Sequence, residues 1–259
     1  MKPHLMFIHG MFLNPKSWQP WISYFESIGY HCEAPAWPFH DGEPSTLLSS
    51  VPEGLGRLDL KTVYTHYANL LSGKGDVIVI GHSLGGLIMQ KLMEAGLVRL
   101  GVGLCSVAPN AMLSVDWGFI RNSASITNPL AGHEPYEMTE EFFRKNFGNA
   151  MTESESQEAF RKYAMPESRQ VLRDILGDDG KVDVRKPHNP LLFIGAKEDE
   201  IIPPTLVMRN AEAYTDQRSH AEYREFSKRG HFIQGGENWE EVALLTADWL
   251  DNHLTAVRA

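Results

Sequence analysis

Gly81-His82-Ser83-Leu84-Gly85 sets a serine between glycines, where the apolar run Asp76-Val77-Ile78-Val79-Ile80 gives way to a helical pattern beginning Leu87-Ile88-Met89. So tight a strand-to-helix turn strains the central residue, exposes its hydroxyl at the end of a sheet, and places it beside helical N–H groups that can stabilise an anion. The chemistry that suits is nucleophilic attack. An ordinary glycine-rich turn closing a βα unit has the same composition, so the strand–turn–helix context carries the reading.

A serine hydroxyl needs a base within hydrogen-bond reach, and the base needs an orienting acid. Of the 11 histidines, His231 in Arg229-Gly230-His231-Phe232 follows the last strand-like run and precedes the final helix. That places it at the carboxyl edge of the sheet with Ser83, where open α/β sheets bind ligands. His82 points into the turn or the core, and His9 reads as a loop-shaping residue at the end of the first strand. His133 and His188, in or beside the inserted segment, stay open. For the acid, Gly195-Ala196-Lys197-Glu198-Asp199-Glu200-Ile201-Ile202-Pro203 follows a strand directly. Asp199 is favoured by its spacing to Pro203, which suits a loop entering a helix. Glu198 and Glu200 read as solvated, and Asp116 is the rival. The order Ser83, Asp199, His231 belongs to one among several unrelated folds that carry such triads.

The elements that must position these groups alternate between short apolar runs and helical patterns, the signature of a parallel sheet covered by helices. Strands are expected at Leu5–His9, Tyr30–Ala34, Val77–Ile80, Val102–Val107, Leu191–Ala196 and Tyr223–Phe226. Asn14-Pro15 opens a helix whose stripe Trp18, Trp21, Ile22, Phe25, Ile28 reads as core packing, and Gly29 stops it. A long loop runs from Pro35 to about Gly56. Asp59 caps the next helix, and a final helix spans Trp239 to Leu254. Between Pro109 and Pro187 the character changes to helix alone: Thr139–Phe147, Thr152–Tyr163 with a capping box at Thr152 and Glu155, and Pro166–Leu176 closed by Gly177. Residues 1–109 and 187–259 therefore read as one α/β core, and 110–186 as a helical lid inserted between two of its strands.

The chain has 259 residues, enough for one large domain with an insertion. A net charge of −9 argues against nucleic acid, whose phosphates require a basic face. Cys32 and Cys105 read as buried free thiols of a reducing compartment. No Cys/His cluster has zinc spacing, and no apolar run is long enough to span a membrane. The N-terminal residues lack the pattern of a signal peptide. The expectation is a soluble, cytoplasmic protein, monomer or homodimer, with no membrane or nucleic-acid partner.

Phe7-Ile8-His9-Gly10-Met11, Gly81-His82-Ser83-Leu84-Gly85-Gly86, Asp199 to Pro203 and Gly230-His231 together resemble the α/β-hydrolase superfamily from end to end, the insertion being the least diagnostic part. The resemblance implies an α/β-hydrolase fold of six parallel strands with helices on both faces, lacking the family's first antiparallel pair. It also implies an oxyanion hole of two backbone N–H groups, from Met11 and Leu84; losing one donor would cost on the order of 3 kcal/mol of barrier. Relatives that cleave haloalkanes or epoxides carry aspartate where this chain has Ser83, which turns the reading toward a serine hydrolase of carboxylic esters with no metal or organic cofactor.

The insertion supplies Trp117, Phe119, Tyr136, Met138, Phe142, Phe143 and Phe147. Of these, Trp117, Phe119, Met138 and Phe142 are expected to bind an uncharged, apolar small-molecule ester, together with Phe12, Trp37, Ile202 and Phe232. The rival for each is packing of the insertion onto the core. Carbon–carbon bond hydrolysis, lactone cleavage and perhydrolysis would use the same triad, and a non-catalytic ligand receptor would keep the fold alone.

Overall fold

Strands apolar on both faces can only form the middle layer of a molecule. The computed structural model describes residues 2–113, 126–216 and 219–256. In it β1 (His4–Ile8), β2 (His31–Glu33), β3 (Val77–His82), β4 (Leu100–Leu104), β5 (Leu191–Ala196) and β6 (Ala221–Phe226) form a six-stranded sheet in the order β2-β1-β3-β4-β5-β6. Every neighbouring pair is parallel. This is the six-stranded parallel sheet expected.

Alternation along the strands divides the core in two. Leu5, Phe7, Ile78, Ile80, Leu192 and Ile194 pack with Trp18, Trp21, Phe25, Val242 and Leu250, which lie on or beside α1 (Gln19–Ser27) and α10 (Trp239–Ala256). Met6, Ile8, Val77, Val79, Leu191 and Phe193 pack with Val63, Tyr67, Leu87 and Leu206. These come from α3 (Leu60–Leu71), α4 (Leu84–Glu94) and α9 (Pro204–Glu212), and α2 (Pro44–Ser49) is a short helix before them. The aromatic stripe of α1 is core, and Trp21 Nε1 donates to Gln234 O at 2.9 Å.

Between adjacent strands β4 and β5 the described chain runs through α5 (Asn110–Leu113), α6 (Glu140–Asn146), α7 (Glu153–Tyr163) and α8 (Arg169–Ile175). Their starts are written locally. Thr139 accepts from Phe142 N, Thr152 and Glu155 form a reciprocal capping box, and Ser168 accepts from Gln170 N. Asn14 and Asp59 cap as expected, although Asn14 opens a 3-10 turn, Pro15–Trp18, that leads into α1.

Several limits differ from expectation, and three of the differences have a tertiary reason. β4 ends at Leu104, not Val107, because Cys105 turns to φ +44 and Val107 N donates instead to Ser83 O. α8 starts at Arg169, not Pro166, because Glu167 is extended and exchanges backbone hydrogen bonds of 2.8 and 2.9 Å with Tyr136. The loop from Pro35 to Gly56 contains α2 and is tied down by Asn14 Nδ2, which donates to Gly42 O at 2.9 Å.

Candidate active site

At the end of β3, Ser83 adopts φ +54 and ψ −119, a conformation rare for a residue with a side chain. Its backbone is held on both sides: Ser83 N donates to Leu104 O at 2.9 Å, and Ser83 O accepts from Gly86 N and Val107 N. Two glycines around this turn are required by space. A Cβ on Gly85 would lie 2.2 Å from Ile8 O, and one on Gly10 would lie 2.8 Å from Ser83 Cβ. β1, its following loop and the Ser83 turn are thus in direct contact.

Asp199 and His231 come together from the ends of β5 and β6. His231 Nδ1 donates to Asp199 Oδ2 at 2.7 Å, with both side chains buried. Asp199 Oδ1 accepts from Ile201 N at 2.8 Å and Ile202 N at 2.9 Å, so three donors fix the plane of the carboxylate. His231 is anchored from behind, where His82 Nε2 donates to its carbonyl at 2.8 Å, and the Phe147 ring meets it edge-on with centroids 5.0 Å apart. Burial, and then the nearby His231, hold His82 well below the usual histidine range, so it serves as a neutral prop. Glu198 is not the solvated neighbour it was expected to be: its Oε2 accepts from Arg229 N at 2.9 Å and its N–H donates to Arg229 O, clamping the histidine loop onto the acid loop.

Ser83 and His231 open into one cavity of about 50 Å³, lined otherwise by Met11, Leu84 and apolar side chains. Of the candidate substrate-binding residues, Phe12, Phe142 and Ile202 line it, together with Phe147, Val107, Ile126, Leu172, Ile175 and Ile201. Three expected contacts lie elsewhere. Trp37 is buried against His9, with rings stacked at 4.8 Å. Met138 belongs to the core under the insertion. Phe232 turns toward Phe143 and Tyr163. Trp117, Phe119 and Asp116 fall outside the described residues. His133 is exposed, and His188 meets the Tyr214 ring edge-on and is not among the residues that line the cavity.

The sequence matches the model of the alpha/beta hydrolase family over residues 5–243. The chain belongs to the alpha/beta hydrolase family. No curated protein matches it. Among solved structures it resembles an extracellular alpha/beta-hydrolase from a Paenibacillus species (TM-score 0.72, 17% identity, 95% of this chain and 98% of that one). It also resembles a monoacylglycerol lipase from Paleococcus ferrophilus (0.70, 15%, 97% and 96%) and tomato methylketone synthase I (0.72, 15%, 98% and 98%). At such identities the likeness is one of fold.

Two features of this alpha/beta hydrolase escaped the sequence reading. One is the thiol of Cys105, whose sulfur lies within 4.8 Å of ligand atoms of Asp199 and His231. Among the described residues this is the one trio arranged as if for a metal. The donors suit a hydrogen-bonded cluster better: burial pushes the thiol far above its ordinary range, and the Asp199 charge adds to that, whereas a metal would need the thiolate. The other is a fully buried His40–Glu167 contact at 3.0 Å behind the Met11–Phe12 loop. Neither residue stands in a motif, and their partners are 127 positions apart, so no local signal could have paired them.

Proposed function

We propose that the protein is a serine hydrolase of carboxylic esters, acting through an acyl-enzyme. Ser83 Oγ attacks the ester carbonyl while His231, through the ring nitrogen not engaged by Asp199, takes its proton. Asp199 holds the imidazole in place and stabilises it when charged. The N–H groups of Met11 and Leu84 receive the oxyanion. His231 protonates the departing alcohol, then takes a proton from water as that water attacks the acyl carbonyl, and returns it to Ser83 Oγ as the bond to the acyl carbon breaks and the carboxylic acid leaves. Every proton has a protein group to carry it, so the scheme calls for no metal or organic cofactor. In this scheme residues 110–186 serve as the lid that closes the acyl pocket.

The observation that carries the reading is the 2.7 Å His231–Asp199 contact in a histidine that shares an apolar cavity with a strained serine. A binding protein has no use for that combination. The test is hydrolysis of p-nitrophenyl acetate, with labelling by a fluorophosphonate, in the wild type and in Ser83→Ala. Loss of both in the variant is expected; full activity in Ser83→Ala, or a folded wild type inert to both, overturns the reading. Lactones and β-diketones run alongside separate ester cleavage from the other reactions open to the same groups.

A further inference from the structure

Phe12, between the oxyanion-loop residue Met11 and Leu13, sits at φ +64, a conformation that a bulky side chain rarely adopts. Both of its backbone polar groups are taken by one short segment of the insertion. Phe12 N donates to Glu167 Oε2 at 3.2 Å, and Phe12 O accepts from Met165 N at 3.1 Å. The same Glu167 oxygen faces His40 Nε2 at 3.0 Å, and both side chains are wholly buried. His40 Nδ1 faces Pro38 O at 2.9 Å. Both ring nitrogens of His40 are therefore engaged, one by a backbone carbonyl and one by the Glu167 carboxyl group. Glu167 Oε1 accepts from Ser168 N at 2.7 Å, so the carboxylate is fully engaged.

The other face of His40 is set by neighbours of the same loop. His9 lies with its ring 5.3 Å from that of His40, and Trp37 at 5.2 Å. His9 Nδ1 donates to Gly10 O at 2.9 Å and its Nε2 accepts from Trp37 N at 3.3 Å, so His9 is neutral. Burial first, and the adjacent His40 second, hold it well below the ordinary histidine range. His40 itself is fixed through its carbonyl, which accepts from Asn14 Nδ2 at 3.4 Å. The run from His9 to Asn14 is thus held at its two ends by His40 and in its middle by Glu167.

We propose that the buried His40–Glu167 pair positions the oxyanion loop: it holds Phe12 in its left-handed conformation and so sets where the Met11 N–H stands relative to Ser83. A buried polar pair whose atoms are all hydrogen-bonded fixes one geometry, because any other arrangement leaves buried groups unpaired. This pair joins the β2–α2 loop, the loop after β1 and the insertion at a single carboxylate oxygen. The proposal rests on the serine-hydrolase reading, because the loop it positions is the one assigned to the oxyanion there.

The test compares wild type, Glu167→Gln and His40→Gln. Glu167→Gln keeps the shape of the side chain but turns the doubly accepting oxygen into a mixed donor–acceptor amide. In each variant kcat on p-nitrophenyl acetate should fall on the order of 10- to 100-fold, the size of effect that a small misplacement of a catalytic group produces. KM should change far less. The affinity for a trifluoromethyl ketone, which forms the tetrahedral adduct on serine, should fall in step with kcat. The double variant should lose about as much as Glu167→Gln alone, because both act through one oxygen. Crystal structures of the variants should show Phe12 relaxed from positive φ. Unchanged kcat, a rise in KM alone, or Phe12 unmoved in either variant overturns the proposal. A wild type inert to ester and fluorophosphonate overturns the catalytic reading instead, and the conformation of Phe12 then decides the structural claim by itself.

Discussion

Asp199 is the residue on which the chemistry is most finely balanced. Its Oδ1 is consumed by Ile201 and Ile202 N–H groups, which leaves Oδ2 alone to orient His231. Asp199→Asn would present an amide that can donate to Nδ1 and trap the wrong tautomer, so kcat should fall by on the order of 10⁴-fold while a melting curve barely moves. A variant retaining a tenth of wild-type kcat would show that the acid lies elsewhere. The thiols allow a second test at this scale. Cys105 is fully buried with its thiol held far above the ordinary range, and burial pushes Cys32 up to about 12. Both should be protonated near pH 8, so iodoacetamide should leave the folded protein unlabelled and alkylate two thiols once urea unfolds it. Rapid labelling of the native protein would contradict this.

Elements whose limits are written in their own residues are the ones that the sequence made legible. The Thr152–Glu155 capping box is an example: Thr152 N and Glu155 Oε2 meet at 2.8 Å, and Glu155 N reaches back to Thr152 Oγ1. Thr152→Ala should lower stability by about 1 kcal/mol, read as a lower urea midpoint at unchanged slope, with kcat unaffected. A shift of less than a few tenths would mean that packing alone holds α7. The nucleophile turn was legible for a similar reason, because crowding by Ile8 O and the Ser83 side chain admits only glycine at Gly85 and Gly10. What the sequence did not disclose was set by contacts across the chain. β4 stops where Cys105 must turn to let Val107 N meet Ser83 O, α8 waits for Glu167 to finish pairing with Tyr136, and Trp37 packs on His9 rather than a ligand. Aromatic residues in the insertion could be named as pocket candidates, yet which of them face Ser83 depends on helix orientation, and aliphatic Leu172, Ile175 and Val107 carry no distinguishing signal.

For the whole molecule, the two sides of the sheet meet different demands. The face that bears α1 and α10 is continuous packing, whereas the carboxyl edge holds buried histidines whose ionisation opposes folding. His9 and His82 are both completely buried and held well below the ordinary value of 6.5, chiefly by desolvation. Below about pH 6.5 the unfolded chain binds protons that the folded chain refuses, so their contribution is intact above that pH and is lost as the pH falls. Together they should make the folded protein less stable to urea at pH 5.5 than at pH 7.5. His82→Gln should lose about half of that dependence in paired urea titrations; an unchanged dependence would acquit His82. The cavity sets the last expectation. Its 50 Å³ is comparable to a short acyl group and far less than a fatty chain. Longer acyl chains must displace Phe142, Leu172 or Ile175, which line the cavity from the insertion. The specificity constant should therefore be highest for acetate and butyrate esters and drop by at least about tenfold by dodecanoate, since each unaccommodated methylene is costly in a small apolar pocket. Leu172→Ala opens room for about three carbons and should move the optimum toward hexanoate. A rate that climbs steadily through dodecanoate in the wild type would show that the helices of the insertion swing aside during turnover and that the enclosed volume sets no limit.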